Sequence, residues 1–403
     1  MNTNLNISVI TKEALRVLVN NLAFGSRVNR QYEDKFSVEG AKAGTTINIR
    51  KPVRFTVSSG QALQLQDVTE TQVPLTISNQ KHVGFQFSAA DLALSIDDFS
   101  VRYIKPAVSA LANKIDSDGL ALYDQVYNFS GVPGTVPVTT LTYLNANTAL
   151  QNEACPQDDN LYMCVTPEMQ ANMVDQTKAL FHAGGEIEKQ YKRGRMGNAF
   201  GYEWAMDQNL PTHTVGVNAG APLVDGANQT NNILCDAWTA TTGTVKKGDI
   251  IQFAGVYGVN PQSRLSTGKL ANFVITAAAT ASGAGAITLP ISPTMVLTGA
   301  FQNVNALPAD NAAVTVFGHA TTYSAKVSPQ GMAFHKDAFT LAMIDLPLPR
   351  GIDMAARVSD KDLGISLRVV RDYSIDTDQF PCRIDVLYGW ACLRPELAVR
   401  ICS

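Results

Sequence analysis

Residues 213–322 carry eight charged side chains in 110 positions, with no Glu among them, while the other 293 residues hold the remaining 59. The segment is rich in Thr, Ala, Gly, Val and Asn, and turn-forming residues recur every eight to twelve positions. That pattern predicts a small all-β domain. Sequence of α/β type resumes beyond residue 322, so the β segment reads as an insertion into another domain. At roughly 150 residues per domain, 403 residues leave room for two or three domains, one of them inserted.

The amino-terminal side has a different grammar. Leu15, Leu18, Val19 and Leu22 share one face of a short helix opened by Thr11, with Gly25 after its end. From Gly44 the period changes to two. Ile47 and Ile49 alternate with polar residues, a Gln/Thr/Ser-rich stretch spans 58–72, and Val73 to Ile77 alternate again. These runs predict a long β-hairpin or extended loop with too little apolar material for a core of its own, so it must lean on something else. Val83, Phe85 and Phe87 form a further strand. Val101, Ile104, Val108, Leu111, Ile115, Leu122 and Val126 then recur at helical spacing. They predict a beam of roughly 28 residues over 100–128, ~42 Å long at 1.5 Å per residue. Pro106 places its regular start near Lys105, and Gly119 weakens its interior.

Helices are predicted over 141–153 and 167–181, the second with Thr166 as N-cap and Pro167 in the first turn. Strands are predicted at 161–165, at Phe200-Gly201-Tyr202-Glu203-Trp204, and at 325–327, 365–372 and 383–388, with the last strand ending at Trp390.

Composition excludes several functions. Charged residues are only 17% of the chain, well under the roughly 25% of an average soluble protein. Such low charge points to surfaces covered by something other than water. The net charge is −3 and no run of five basic residues exists, which argues against tight nucleic-acid binding through phosphate neutralisation. Cys155, Cys164, Cys235, Cys382, Cys392 and Cys402 are too sparse for a disulfide scaffold and lack Cys-x-x-Cys spacing. Free buried or half-buried thiols are expected, which suits a reducing compartment. No secretory signal or run of ~18 apolar residues is present, so a soluble chain made in the cytoplasm is the expectation.

Catalytic patterns are missing too. No Gly-x-Ser-x-Gly elbow or complete phosphate loop occurs, and Ser266-Thr267-Gly268-Lys269-Leu270 is better read as a hairpin turn. None of His82, His182, His213, His319 and His335 lies three or four residues from another, so each is expected in a surface or satisfied structural role. The adjacent acids Asp97-Asp98 and Asp158-Asp159 read as helix-start charge and loop solvation. The Lys192-Arg193-Gly194-Arg195 stretch, beside Glu186 and Glu188, reads as a solvated loop or subunit contact. No catalysis, metal or cofactor is expected.

Particular stretches carry a family resemblance. The run from Gly364-Ile365-Ser366-Leu367-Arg368 to Arg371-Asp372-Tyr373, then Arg383-Ile384-Asp385-Val386 to Gly389-Trp390, and Arg394-Pro395-Glu396, resembles the closing segment of tailed-bacteriophage coat proteins. Leu111-Ala112-Asn113-Lys114-Ile115 is similar to the spine helix of the short-tailed Salmonella-phage coat protein family. Val245 to Val256, with Lys246-Lys247-Gly248-Asp249, resembles a hairpin of that family's inserted domain. Glu13-Ala14-Leu15, Val28-Asn29-Arg30-Gln31-Tyr32 and Gly44 to Arg50 resemble its amino-terminal arm and extended loop. Between Gly220 and Asp236 the chain is short and carries only Asp225, where the best-known member of that family has a longer acidic loop. A contact through that loop is therefore not carried over.

The resemblance implies an α+β, Hong Kong 97-like capsid fold with a long spine helix, an extended β-hairpin loop, a mixed α/β apical domain and an inserted small all-β domain. It divides the chain into an amino-terminal arm (1–39), extended loop (40–80), peripheral domain with spine helix (81–135), first apical part (136–212), inserted domain (213–322) and a return through apical and peripheral domains (323–403). It implies a major capsid protein that self-assembles, as hexamers and pentamers, into an icosahedral shell around double-stranded DNA. The expected partners are itself, a scaffolding protein, a portal protein and packaged DNA bound without sequence preference, with no membrane. The expected location is the virion, after assembly in the host cytoplasm. Candidate subunit contacts are Arg50, Lys51, Arg54, Asp67 and Glu70 on the extended loop, with Arg264 and Lys269 on the inserted domain. The alternative from another class is a β-rich binding protein, such as an adhesin or virion decoration protein. It leaves the beam helix and the closing motif unexplained.

Overall fold

The computed structural model describes residues 12, 14–16, 18, 22–30, 46–68, 70–88, 105–177, 197–319, 321–360 and 365–403. The chain crosses repeatedly between two compact units. The first comprises Met1–Arg50, Gln72–Leu120 and Phe339–Leu393; the second comprises Lys51–Thr71, Ala121–Ala338 and Arg394–Ser403.

In the first unit a 14-residue strand, Gln379–Cys392, organises a five-stranded antiparallel sheet. Asn79–Ser88 pairs along its residues 379–388 and Phe339–Met343 along 388–392, while Ile365–Arg371 pairs with residues 382–385. Met354–Asp360 follows outside Ile365–Arg371. The charged residues of the closing motif have a local reason. Asp385 is fully buried and is paired by Arg368 at 2.6 Å and by Arg383, so the low-dielectric site holds its charge compensated.

The extended loop begins and ends in this unit. Thr46–Arg50 pairs antiparallel with Gln72–Thr76, and the inward members of the alternation, Ile49, Leu75 and Ile77, pack on Ala342, Leu346, Leu387, Ala391 and Leu393. The hairpin does lean on another core, as its composition requires.

The spine helix is shorter than its periodicity predicts. It runs from Lys105 to Leu120, 16 residues, and buries Ala107, Val108, Leu111, Ala112, Ile115, Asp116, Gly119 and Leu120 as one stripe. A 3₁₀ turn, Ala121–Gln125, follows. Val126, which continues the apolar period, is buried from a turn in which its N–H bonds the Tyr123 carbonyl at 3.0 Å. Periodicity alone cannot separate these two cases, since both put the side chain inside. The predicted first turn at 100–104 lies outside the described residues, as do the Asp97-Asp98 pair, His182 and the basic stretch at 189–195.

Two features tie this helix to the rest of its unit. Asp116, a buried carboxylate, accepts the backbone N–H groups of Ala23, Phe24 and Gly25 at 2.6, 3.2 and 2.8 Å. Gly119 lies against the Trp390 ring so closely that a Cβ there would stand 2.5 Å from a ring carbon. The glycine that reads as a weak point of the helix is the seat of a tryptophan.

The second unit contains a seven-stranded mixed sheet in the order Phe129–Gly131, Ala398–Cys402, Val327–His335, Leu161–Val165, Tyr202–Met206 and Asn198–Ala199, with Thr212–Thr214 also paired to Val327–His335. Helices Thr140–Asn152 and Pro167–Thr177 accompany it, and the Thr166 hydroxyl caps the second by accepting the Met169 N–H at 3.2 Å. Three strand readings need correction. A strand at Ala398–Cys402 lies beyond the predicted end at Trp390. The strand predicted at 325–327 starts only at Val327, because Ala325 has a left-handed φ of 54°. Phe200, also left-handed at 57°, sits in the turn between Asn198–Ala199 and Tyr202–Met206 rather than in a strand.

Within residues 220–316 six antiparallel strands lie in the order Val314–Val316, Ile250–Phe253, Phe273–Ile275, Ile287–Ser292, Asn232–Trp238 and Gly220–Val224. The two edges meet: Val224 N–H bonds Ala312 O at 3.0 Å, and Asn311 N–H bonds Val224 O at 2.9 Å. Closure removes exposed strand edges, which a chain segment this poor in charge could not otherwise blunt. Ile233, Ile250, Phe253, Phe273, Leu289 and Val316 fill the interior. Ser266–Leu270, read from sequence as a hairpin turn, is a strand paired with Tyr257–Val259, and the turn lies between them.

Replacing Asp116 with Ala removes the acceptor of three backbone donors, two of them buried, and should lower stability by about 3 kcal/mol, with Asp116→Asn costing less. Gly119→Ala should cost about 2–3 kcal/mol by overpacking Trp390. Urea unfolding of the unassembled chain, followed by tryptophan fluorescence, measures both.

Candidate functional site

Between its paired ends the extended loop, Lys51–Thr71, contains no strand among its described residues, yet it is held narrow. Lys51 N–H bonds Thr71 O at 2.8 Å. Further out one side chain substitutes for strand pairing: the Gln66 carboxamide oxygen accepts the Thr56 N–H and hydroxyl, both at 2.9 Å, and its amide donates to Thr56 O. Along this frame large apolar side chains face water. Phe55 is 62% exposed, Val57 99%, Leu63 85%, Leu65 88% and Val68 58%. A monomeric protein rarely concentrates apolar groups this way, and such a patch marks an interaction surface.

Beside the loop, in the same unit, lies a groove of about 770 Å³. Lys51, Arg54 and Phe55 line it from the loop, Arg264 and Phe301 from the β-rich segment, and Arg394 and Glu396 from the carboxyl-terminal turn. Arg54 stands 3.5 Å from Glu396 and 5.9 Å from the centroid of Phe301. Arg264, at a left-handed φ of 59°, donates to Gly299 O at 2.8 Å. Desolvation lowers the pKa of Arg264 and the positive charge of Arg54 lowers it further. The half-buried Glu153 carboxyl is pushed up to about 7, first by burial and then by the Glu396 carboxylate, with Arg54 opposing.

The structure thus brings Lys51, Arg54 and Arg264 to one groove. Arg50, Asp67 and Glu70 are exposed outside its lining, and Lys269 is exposed beside a separate cavity of about 350 Å³. Sequence reasoning missed Glu153, Phe301, Arg394 and Glu396, which only the fold gathers. It also passed over the apolar row on the loop, although the spacings Phe55-x-Val57 and Leu63-x-Leu65 carry the signal of alternation without a core to receive it.

Other candidates are structural where they are described. His213 is buried, with Nε2 2.8 Å from Asp249 and Nδ1 3.2 Å from the Tyr123 hydroxyl. His335 is buried 3.1 Å from Asp158. All six cysteines are buried and none forms a disulfide, as expected. Burial pushes Cys155 and Cys235 up to about 12, which suppresses the thiolate. Among the described residues no group of three or more His, Cys, Asp and Glu side chains is placed to hold a metal ion, and no helix is long and apolar enough to cross a membrane.

Mixed sheets combined with a loop that exposes a row of large apolar side chains mark a protein with a built-in interaction surface. The family described as "P22 coat protein - gene protein 5" matches residues 1–401, and the chain belongs to it: it is a major capsid protein of a tailed phage. Solved structures it resembles include a Mycobacterium phage Che8 chain (14% identity, TM-score 0.47, covering 94% of this chain and 90% of that one). The capsid structure of cyanophage P-SCSP1u is similar at 13% identity and TM-score 0.42, covering 89% and 83%. The CUS-3 coat protein I-domain covers 24% of this chain and 96% of its own, at 22% identity and TM-score 0.19. No curated protein sequence matches the chain.

Glu153 binds its proton more tightly in the folded chain, so its contribution to stability is complete below its ordinary pKa of 4.5 and declines as pH rises to about 7. Glu153→Gln should therefore match wild type near pH 4 and exceed it by about 2 kcal/mol at pH 8, after allowance for partial exposure. Urea unfolding at the two pH values tests this.

Proposed function

We propose that this capsid protein builds an icosahedral shell of hexamers and pentamers around double-stranded DNA, using its extended loop as the principal strap between neighbours. The observation that carries the reading is the row of apolar side chains from Phe55 to Val68 exposed on a loop that its own hydrogen bonds hold in shape. Burial of each against a neighbour is worth about 1.5–3 kcal/mol, and a shell repeats the contact at every subunit. Residues 1–39 act as an arm and 40–80 as the strap. Residues 81–135 supply the peripheral spine, and 136–212 with 323–403 the apical body. Residues 213–322 are an inserted domain.

The entry and exit of that insertion support the partition. Thr212–Thr214 and Val327–Pro329 pair antiparallel, so the segment leaves and returns through one two-stranded stem. A scaffolding protein and a portal are the assembly partners, and assembly takes place in the host cytoplasm. The near-neutral charge supports motor-driven packaging, since a lining that does not hold phosphates lets DNA enter. The role is structural and involves no catalysis.

The test is expression of the chain, alone and with its scaffolding protein, followed by sedimentation and negative-stain microscopy. Closed shells, sheets or tubes are expected; monomers under both conditions would overturn the proposal. Leu65→Asp should leave the unfolding midpoint of the free subunit within about 0.5 kcal/mol of wild type, because the side chain touches solvent, while sharply reducing shell yield.

A further inference from the structure

The groove at the base of the extended loop holds an imbalance of charge. Lys51, Arg264 and Arg394 line it, half-buried, and none has a carboxylate partner among the described residues. Only Arg54 is close to one, Glu396 at 3.5 Å, and the raised pKa of Glu153, about 7, leaves it carrying only part of a charge near neutral pH. Two guanidinium groups, those of Arg54 and Arg264, are close enough for one to lower the pKa of the other. The floor is partly apolar, with Phe55 and Phe301. A cleft of this size encloses a few side chains, and one this cationic selects acidic ones with apolar company.

The chain itself carries the complementary surface. The tip of the hairpin between Ile365–Arg371 and Gln379–Cys392 presents Asp372, Asp376 and Asp378, all exposed, and none has a cationic partner among the described residues. Ile375 stands at the same tip, 84% exposed, beside the exposed Tyr373. The tip is preorganised. Ser374 N–H bonds Gln379 O at 2.9 Å, Asp372 N–H bonds Pro381 O at 3.1 Å, and the Tyr373 hydroxyl donates to Asp378 at 3.0 Å while its ring packs on Phe380. Little entropy remains to be lost on docking.

We infer that the acidic tip at residues 372–378 of one copy inserts into the cationic groove of Lys51, Arg54, Arg264 and Arg394 on a second copy, with Ile375 and Tyr373 meeting Phe55 and Phe301. The inference rests on the shell-forming reading. Three unpaired cations face three unpaired carboxylates, and each surface combines its charge with exposed apolar groups. Because the two surfaces differ, the contact is heterologous and propagates from copy to copy, as the ring of a hexamer or pentamer requires.

The experiment uses the full chain under the conditions that give wild-type shells, with wild type alongside. Arg264→Glu and Asp376→Lys alone should each lower shell yield about tenfold or more, since like charges then meet across the contact. The double variant restores opposite charge in every contact and should return to within about twofold of wild type. Single variants that assemble normally, or a double variant no better than the worse single, would overturn the contact. Circular dichroism of the free subunits checks folding. If either single variant misfolds, a second arm decides: shells made from mixed Arg264→Cys and Asp376→Cys chains are oxidised and run on denaturing gels. The native cysteines are buried, so a disulfide dimer formed only in the mixture supports the contact, and its absence refutes it. Failure of wild type itself to assemble would overturn the shell-forming reading and the contact with it.

Discussion

A single buried carboxylate fixes the first unit. Asp116 projects from the buried stripe of the spine helix, where an unpaired charge would cost several kcal/mol. Three consecutive backbone N–H groups of the turn at residues 23–25 donate to it and compensate the charge in part. The turn then has to sit against the helix. That places Phe24 5.4 Å from Trp390 and 5.5 Å from Phe339, and Asn29 follows by exchanging backbone hydrogen bonds with Phe339 and Leu341. Gly25 and Gly119 are the two positions where a side chain would obstruct the arrangement, one against Asp116 and the other against Trp390. Segments from near both ends of the chain and its middle are thereby locked to one helix.

The second unit buries a cation, compensated less fully: of the Arg400 guanidinium only Nη2 has a hydrogen-bond acceptor, while Nε and Nη1 are buried without one. Arg400 is fully buried and stacks between the rings of Tyr123 and Phe317, at 5.5 and 5.6 Å. It donates to Gly248 O at 2.7 Å, beside the turn in which Asp249 accepts from His213, Gly216 and Lys246. Planar guanidinium chemistry suits such a site, since lysine could neither stack on both rings nor hold its charge as firmly out of water. The base of the closed β structure is therefore organised around polar groups that specify one arrangement, while the apolar interior supplies bulk stability.

How much of this was legible depended on whether a side-chain pattern had a single physical meaning. The alternation of Ile47, Ile49, Val73 and Leu75 admits one reading, and the strands fall there. So does the charge-poor stretch with regular turns, which becomes a run of short strands. The spine helix was overextended because Val126 is buried from a turn as it would be from a helix. Ala398–Cys402 was missed because the last strand was ended at Trp390, whereas Pro395–Leu397 form one 3₁₀ turn before the chain re-enters the sheet. The groove was legible only in part. Lys51, Arg54 and Arg264 stood out as charges on loops, but Glu153 and Arg394 join them through a fold that brings together segments hundreds of residues apart.

The apolar loop and the cationic groove have the same physical logic. Both are unfavourable in an isolated subunit: the loop leaves large side chains in water, and the groove gathers Lys51, Arg54, Arg264 and Arg394 around one ion-paired carboxylate, Glu396, and a Glu153 that is only partly ionised near neutral pH. A protein selected as a monomer would remove them at little cost to its core, since neither Val57 nor Leu65 packs there and Arg264 sits at a strained backbone angle. Their retention makes sense when the relevant state is the assembly, where the proposed contacts would desolvate the loop and neutralise the groove. The same constraint explains the low charge of the whole chain. A subunit surrounded on most sides needs few solvated faces, and some of the charges it keeps, like Asp116 and Arg400, are spent inside its own fold.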